Sequence, residues 1–244
     1  MKKTLLIILS VITSIMVYAQ NAPALHSLIQ ANTQRGSYLN FVETTDSGIY
    51  YTGTINKSET PMDGVFASNV GLYDLFVIKN DPASGNTIYS KTFNAGASGK
   101  ITPTYMMIDN SNNVYIVGRF TGTMTYGGKS ISSADNESFI LKLSSGGDAL
   151  WIAKAPIAIS ATNIKGAADS TDLFFVCNTN TVLHFNNLNG SLVSSKTYNS
   201  VYLRDVAINN GNLYIAGQNQ SGNNTIGNVI IQNYATGFVL AGNK

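Results

Sequence analysis

The sequence predicts an all-β protein made of four copies of a small antiparallel sheet, placed behind an N-terminal export signal. Three observations predict it. Short runs of β-branched and aromatic residues recur along the chain with alternating polarity. Three sequence landmarks return in the same order. Outside the N-terminal segment, no stretch keeps the 3.6-residue apolar period of a helix.

The 244 residues are 44% hydrophobic and only 11% charged, with 15 Lys+Arg against 13 Asp+Glu. A typical globular chain carries about 25% charged residues, so the surface here is covered by neutral polar groups. Roughly one residue in nine is Asn, with Ser, Thr and Gly also abundant. Scattered charges summing to +2 exclude a nucleic-acid binder held by phosphate contacts, and the apolar content excludes disorder.

Lys2 and Lys3 precede an apolar run from Leu5 to Val17, and Val17-Tyr18-Ala19 offers small residues where a signal peptidase cuts. Residues 1–19 therefore read as a signal peptide and 20–244 as the mature domain. The run is too short to span a bilayer, which takes about 20 apolar residues, and no later segment offers a span. The chain is expected to be exported, to the cell surface or the medium or, alternatively, the periplasm. The single cysteine, Cys177, rules out an intrachain disulfide.

The first landmark is an alternating run ending in a small residue: Ile49 to Gly53, Val114 to Gly118, Leu173 to Cys177 and Leu213 to Gly217. Spacings of about 65, 59 and 40 residues between the small residues fit blade-sized repeats with variable insertions. The second landmark precedes it: Leu39 to Asp46, Tyr105 to Asp109, Ile164 to Asp169 and Asp205 to Asn209. Each reads as a strand running into a turn of Asn, Asp, Ser and Gly, the residues that suit hairpins. The third follows: Leu75 to Lys79, Phe139 to Lys142, Val182 to Phe185 and Phe238 to Ala241. In the first three units a Gly-containing turn and a fourth strand come next: Ile88 to Thr92, Leu150 to Lys154 and Val193 to Thr197.

Four hairpin-connected strands make one blade, and blades stacked about an axis cover each other's faces. The predicted fold is thus a β-propeller of about four four-stranded antiparallel blades, at approximately 38–95, 103–156, 163–198 and 201–244. Residues 23–31, around Ala24-Leu25 and Ile29, supply a possible closing strand for the fourth unit; the alternative is the first part of a larger propeller. Val42, Ile108, Val117, Trp151, Ala167 and Val206 are expected to be buried between blades.

Asp205 to Ile208 with Gly211 to Gly217, and Asp74 to Lys79 with Ser84-Gly85-Asn86 and Lys91, resemble the two halves of the bacterial SBBP-type β-propeller repeat. The third and fourth units depart from it, through Cys177 and through a missing Lys and last strand. The resemblance implies an exported or cell-surface propeller without established enzymatic chemistry, often part of a larger secreted protein.

Residues able to carry chemistry are few. His26 and His184 read as outward-facing strand positions, with His184 standing where the first two units have Lys. Cys177 reads as a buried, inert thiol. Asp109-Asn110-Ser111-Asn112-Asn113 begins like a calcium loop but lacks its Gly and distal Glu, so a hairpin turn is expected. A glycosidase would need two converging carboxylates, from among Glu43, Glu59, Asp63, Asp74, Glu137 and Asp205. Tyr73, Tyr126 and Tyr234 fall outside the clear strands and are candidates for a loop surface that grips glycans or proteins.

No catalytic residue, metal site or cofactor is expected, and binding residues are not assigned. The function expected is a non-catalytic binding or scaffold surface for a protein or glycan, without nucleic acid. The alternatives are a carbohydrate-active enzyme on the same fold and the front part of a larger secreted surface protein. An outer-membrane barrel would share the export signal and the alternation, but not the repeated four-strand unit.

Overall fold

The computed structural model describes residues 38–56, 70–160, 162–226, 229–231 and 237–243. The export signal (1–19) and the closing strand (23–31) expected from sequence lie outside them. The described chain is all-β. It contains no helix, and so none long and apolar enough to cross a membrane, among the described residues.

Strands fall on every landmark. Sheet one runs in order β1 (Tyr38–Thr45), β2 (Gly48–Asn56), β3 (Tyr73–Asn80) and β4 (Thr87–Phe93), each antiparallel to the next. Sheet two repeats this with β5 (Lys100–Ile108), β6 (Val114–Tyr126), β7 (Lys129–Leu143) and β8 (Ala149–Lys154). Sheet three is β9 (Ile164–Ala168), β10 (Asp172–Cys177), β11 (Thr181–Asn186) and β12 (Leu192–Thr197). Sheet four has β13 (Val201–Asn209), β14 (Asn212–Asn219) and β17 (Gly237–Asn243), with a side hairpin of β15 (Asn224–Ile226) and β16 (Val229–Ile231). Sheets one and two also touch through a parallel bridge, Tyr73 to Lys100, beside a Leu72 N–H donated to Gly99 O at 2.8 Å. The sheets do not close on themselves: among the described residues β1 pairs only with β2, and β17 only with β14.

Alternation along each strand gives every sheet two apolar faces. Three buried clusters result, each made by the face of one sheet and the opposite face of the next. Tyr50, Leu75 and Val77 of sheet one meet Ile116, Phe139 and Leu141 of sheet two. Tyr115, Val117, Ile140 and Trp151, on the other face of sheet two, meet Leu173, Phe175 and Leu183 of sheet three. Phe174, Val176 and Val182 then meet Val201, Leu203, Val206 and Ile215 of sheet four.

Val117, Trp151 and Val206 are buried as the repeat predicts, and Ile108 and Ala167 are half-buried. Val42 is the exception, 55% exposed. It pairs with Tyr51 on the face of sheet one that points away from sheet two. Its counterpart Met106, paired with Ile116, is buried because sheet one lies against it. Position in the repeat is therefore not enough to bury a side chain: on the same face of sheet one Val42 is exposed while Ile55, Phe76 and Ile78 are buried.

The small residue that closes the first landmark lies inside the second strand in three units and has a specific partner there. Gly53, Gly118 and Gly217 lie opposite Phe76, Phe139 and Phe238 on the third strands. The phenyl ring fills the space where a Cβ would stand: a Cβ on Gly118 would lie 2.6 Å from Phe139 Cε1 and 2.6 Å from Thr102 O. On the other side, the first strand bulges by one residue, at Asn40, Thr104 and Arg204. In unit three all three features change together. Cys177 replaces the glycine, its cross-strand partner is Thr181 instead of Phe, and the β9–β10 register runs without a shift. Glycine, ring and bulge are one packing device, kept or dropped as a set.

Gly118→Ala is expected to lower stability by about 1–3 kcal/mol through overpacking against ring and carbonyl, measured as a lower urea midpoint. Val206→Asp, which buries an unpaired charge between sheets three and four, is expected to cost about 3 kcal/mol or more. An unchanged midpoint for Val206→Asp would contradict the face-to-face packing.

Candidate functional site

The hairpin turns that join first to second strands gather at one end of sheets two, three and four and line a cavity of about 600 Å³. Unit two contributes Asp109, Asn110, Ser111, Asn113 and Lys142, unit three Asp169, Ser170 and Asn187, and unit four Asn209, Asn210 and Gly211. The turn chemistry explains why these segments bend here. Asn112 and Asn210 adopt φ of 61° and 49°, left-handed values that Asn tolerates, and Asn210-Gly211 forms the Asn-Gly pair favoured in two-residue hairpins.

The carboxylates are consumed by these turns. Asp109 Oδ1 accepts from the Ser111 and Asn113 N–H groups at 2.8 and 2.9 Å, and Oδ2 accepts from Asn113 Nδ2 at 2.8 Å. Asp169 Oδ1 accepts from the Thr171 and Asp172 N–H groups. Such side chain to backbone bonds nucleate the turn and leave the oxygens little capacity for an ion. The hairpin expected at Asp109 to Asn113 is therefore present, and no cluster of three or more His, Cys, Asp or Glu occurs among the described residues.

At the floor of the cavity, Asn187 ties sheets two and three together. Its carbonyl oxygen accepts from Lys142 Nζ and from Trp151 Nε1, each at 3.0 Å, and its side-chain oxygen accepts from Lys142 Nζ at 3.0 Å. Its amide nitrogen donates to Asp169 O. The Tyr115 hydroxyl, 2.8 Å from Asp109 Oδ2 and 2.9 Å from Asn187 Oδ1, has one proton to give, and the carboxylate is the stronger acceptor. Lys142 Nζ also stands 5.3 Å from the Tyr115 ring centroid. Burial pulls the Lys142 pKa down and the Asp109 charge opposes it; burial pushes the Tyr115 phenol up, reinforced by Asp109.

This arrangement repeats. Lys79 pairs across the strand with Tyr50 and its Nζ lies 5.0 Å from that ring, just as Lys142 pairs with Tyr115. In unit three His184 occupies the position, as its alignment with the lysines predicts. It does not simply face outward: it is half-buried, stacked on Phe174 at 4.1 Å, with Nε2 2.7 Å from Asp172 Oδ1. In unit four the position is Ala241, opposite Tyr214. A cation over an aromatic ring, at one fixed register, is thus a packing element of the first two sheets, and in the third an imidazole stacked on a phenyl ring takes its place.

The remaining candidates separate cleanly. Cys177 is buried and its thiol is pushed up to about 12 by burial, as an inert cysteine should be. Asp74 is buried and accepts from the Val70 and Gly71 N–H groups, which holds the entry to β3. Glu137 pairs with Lys154 at 2.5 Å. Glu43 and Asp205 are exposed, and both charges raise the Tyr105 pKa, behind the larger effect of burial. Tyr126 is no sticky loop residue: its hydroxyl donates to Asn94 O at 3.0 Å and accepts from Asn94 N at 2.6 Å, and its ring meets Phe93 edge-on. Tyr73 is half-buried at the start of β3. His26, Glu59, Asp63 and Tyr234 lie outside the described residues. Asn187 escapes sequence reasoning, because its role comes from the path of a turn and not from a motif; the recurring Lys on the third strand was its only signal.

Cys177 is expected to resist a thiolate-specific reagent at pH 8 in the folded chain and to react fully once guanidinium unfolds it. Rapid labelling of the native protein would contradict a buried thiol.

No family model matches the chain, and no curated protein matches it. Among solved structures it is similar to BamB from Moraxella catarrhalis, at 12% sequence identity and a TM-score of 0.31, over 74% of this chain and 54% of that one. The chain spans about half the length of that protein.

Proposed function

We propose that this chain is an exported β-propeller whose turn-lined cavity binds a protein or glycan without catalysing a reaction. Residues 1–19 direct export and the four sheets are blades. The observation that carries the reading is the cavity itself. Its walls are amides and hydroxyls on short hairpins, supported from below by the Asn187–Lys142–Tyr115 network, and its carboxylates are engaged by their own turns. Neutral amide and hydroxyl groups on a rigid frame suit ligands that offer hydroxyls or peptide groups in return. The resemblance to SBBP-type repeats supports the same reading.

A second reading, a carbohydrate-active enzyme, is favoured by one observation: Glu43 and Asp205, on the first strands of units one and four, both act on Tyr105. It requires their carboxyl groups to flank a glycosidic bond about 5–10 Å apart.

The test is a glycan array and a pull-down with the exported chain, alongside an Asn110→Ala, Ser170→Ala, Asn209→Ala triple variant. The expected result is a ligand whose affinity falls at least tenfold in the variant with melting unchanged. Hydrolysis of a bound glycan, abolished by Glu43→Gln or Asp205→Asn, would replace this reading with the enzymatic one.

A further inference from the structure

Lys142 and Asn187 meet as an amine and an amide carbonyl, not only as a charge and its acceptor. Lys142 Nζ lies 3.0 Å from Asn187 Oδ1. The carbonyl carbon, about 1.2 Å behind that oxygen, is therefore within about 4.2 Å of the amine. Both residues are withdrawn from water, at 7% and 1% exposure. Asn187 is fixed by three further bonds: its N–H donates to Thr171 O at 2.7 Å, its backbone carbonyl accepts from Trp151 Nε1, and Nδ2 donates to Asp169 O. The Tyr115 hydroxyl stands 2.9 Å from Oδ1, where a donor can meet negative charge as it develops.

The equivalent positions lack this pairing. Lys79 stands over the Tyr50 ring as Lys142 stands over Tyr115, but its Nζ meets a hydroxyl, Ser47 Oγ, at 3.4 Å. In the third unit the position is His184, whose ring meets the Asp172 carboxylate and not an amide. Lys142 and Asn187 are 45 residues apart in sequence and belong to different sheets. A covalent link between them would constrain the chain as a disulfide does, in a protein whose single cysteine rules out an intrachain disulfide. It would also remove a buried positive charge.

We propose that Lys142 and Asn187 join covalently, through an amide between Nζ and Cγ that forms within the folded chain and ties sheet two to sheet three. The ammonium first gives one proton to water in the cavity that Lys142 lines. The free amine then attacks Cγ with its lone pair, and the carbonyl π pair moves onto Oδ1. That oxygen becomes the stronger acceptor, and the Tyr115 hydroxyl donates to it. The pair on Oδ1 re-forms the C=O bond as the bond from Cγ to Nδ2 breaks. Nδ2 keeps its two hydrogens, takes a third from the attacking nitrogen, and leaves as ammonia. Two groups held together in a rigid, water-poor site need no external catalyst. Burial lowers the Lys142 pKa, against the opposing Asp109 charge, and so enlarges the fraction present as amine. Formation of the link does not depend on what the cavity binds.

The test is mass spectrometry of the full chain, denatured, followed by a tryptic map. The expected chain is lighter by one ammonia, trypsin does not cut after Lys142, and a branched peptide joins Lys142 to Asn187. Ammonia lost by cyclisation of an N-terminal glutamine, or at Asn210-Gly211, leaves Lys142 free and gives no branched peptide. Lys142→Arg is expected to retain one more ammonia than the wild type. Tyr115→Phe keeps the ring and its packing; at a fixed time after synthesis it is expected to hold about tenfold less branched peptide, with unchanged near-UV circular dichroism. A wild-type chain that yields Lys142 and Asn187 in separate, unmodified peptides would overturn the proposal whatever the variants do. Undiminished linkage in Tyr115→Phe would overturn the step through Tyr115.

Discussion

A four-stranded sheet with apolar side chains on both faces cannot stand alone in water, and this requirement organises the rest of the molecule. Fully burying one Val, Leu, Ile or Phe is worth about 1.5–3 kcal/mol. Each junction here buries many such residues, from Leu75 and Phe139 to Phe175 and Val206. The gain is realised only when a second sheet arrives, because each hairpin alone exposes one of its faces. Stability therefore resides between sheets more than within them, as in repeat proteins whose units depend on their nearest neighbours.

Polar groups at the junctions follow from the same requirement. Lys142 is buried by the approach of sheet three, and that sheet brings the acceptors the ammonium needs, Asn187 O and Oδ1. The neighbour that removes water also replaces it. Trp151, on β8, donates its indole N–H to the same carbonyl and packs against Gly190, where any Cβ would fall within 2.5 Å of the ring. The turn of one sheet is thus seated on the outer strand of the sheet before it. Tyr89 against Gly147, with Lys91 paired to Asp148 at 2.9 Å, does the same between sheets one and two.

The strand pattern was legible in the sequence because it depends on local chemistry. β-Branched and aromatic alternation marks the strands, and Asn, Asp and Gly mark the turns; the shared register of Lys79, Lys142 and His184 follows from counting along the repeat. What was not legible depends on who the neighbour is. Val42 carries the same pattern as Met106 yet stays exposed, since alternation reports which way a side chain points and not what it meets. The long β6–β7 ribbon and the β15–β16 hairpin were also missed as elements. They lie in the variable stretch between second and third strands, where no landmark recurs.

Unit three shows how closely these levels are coupled. Losing the phenylalanine on its third strand removes the ring that would fill the space beside a glycine, and Cys177 supplies the missing volume from the opposite strand. With a side chain there, the first strand pairs in register and no bulged residue is needed. The change propagates outward to the position that holds Lys in the first two units, where His184 stacks flat on Phe174 and takes Asp172 from its own sheet as partner. Lys142 instead draws its acceptors from the following unit. Sheet three thus satisfies its ring-stacked imidazole internally, through Asp172. Sheet four answers with Val206, Ile215 and Leu203.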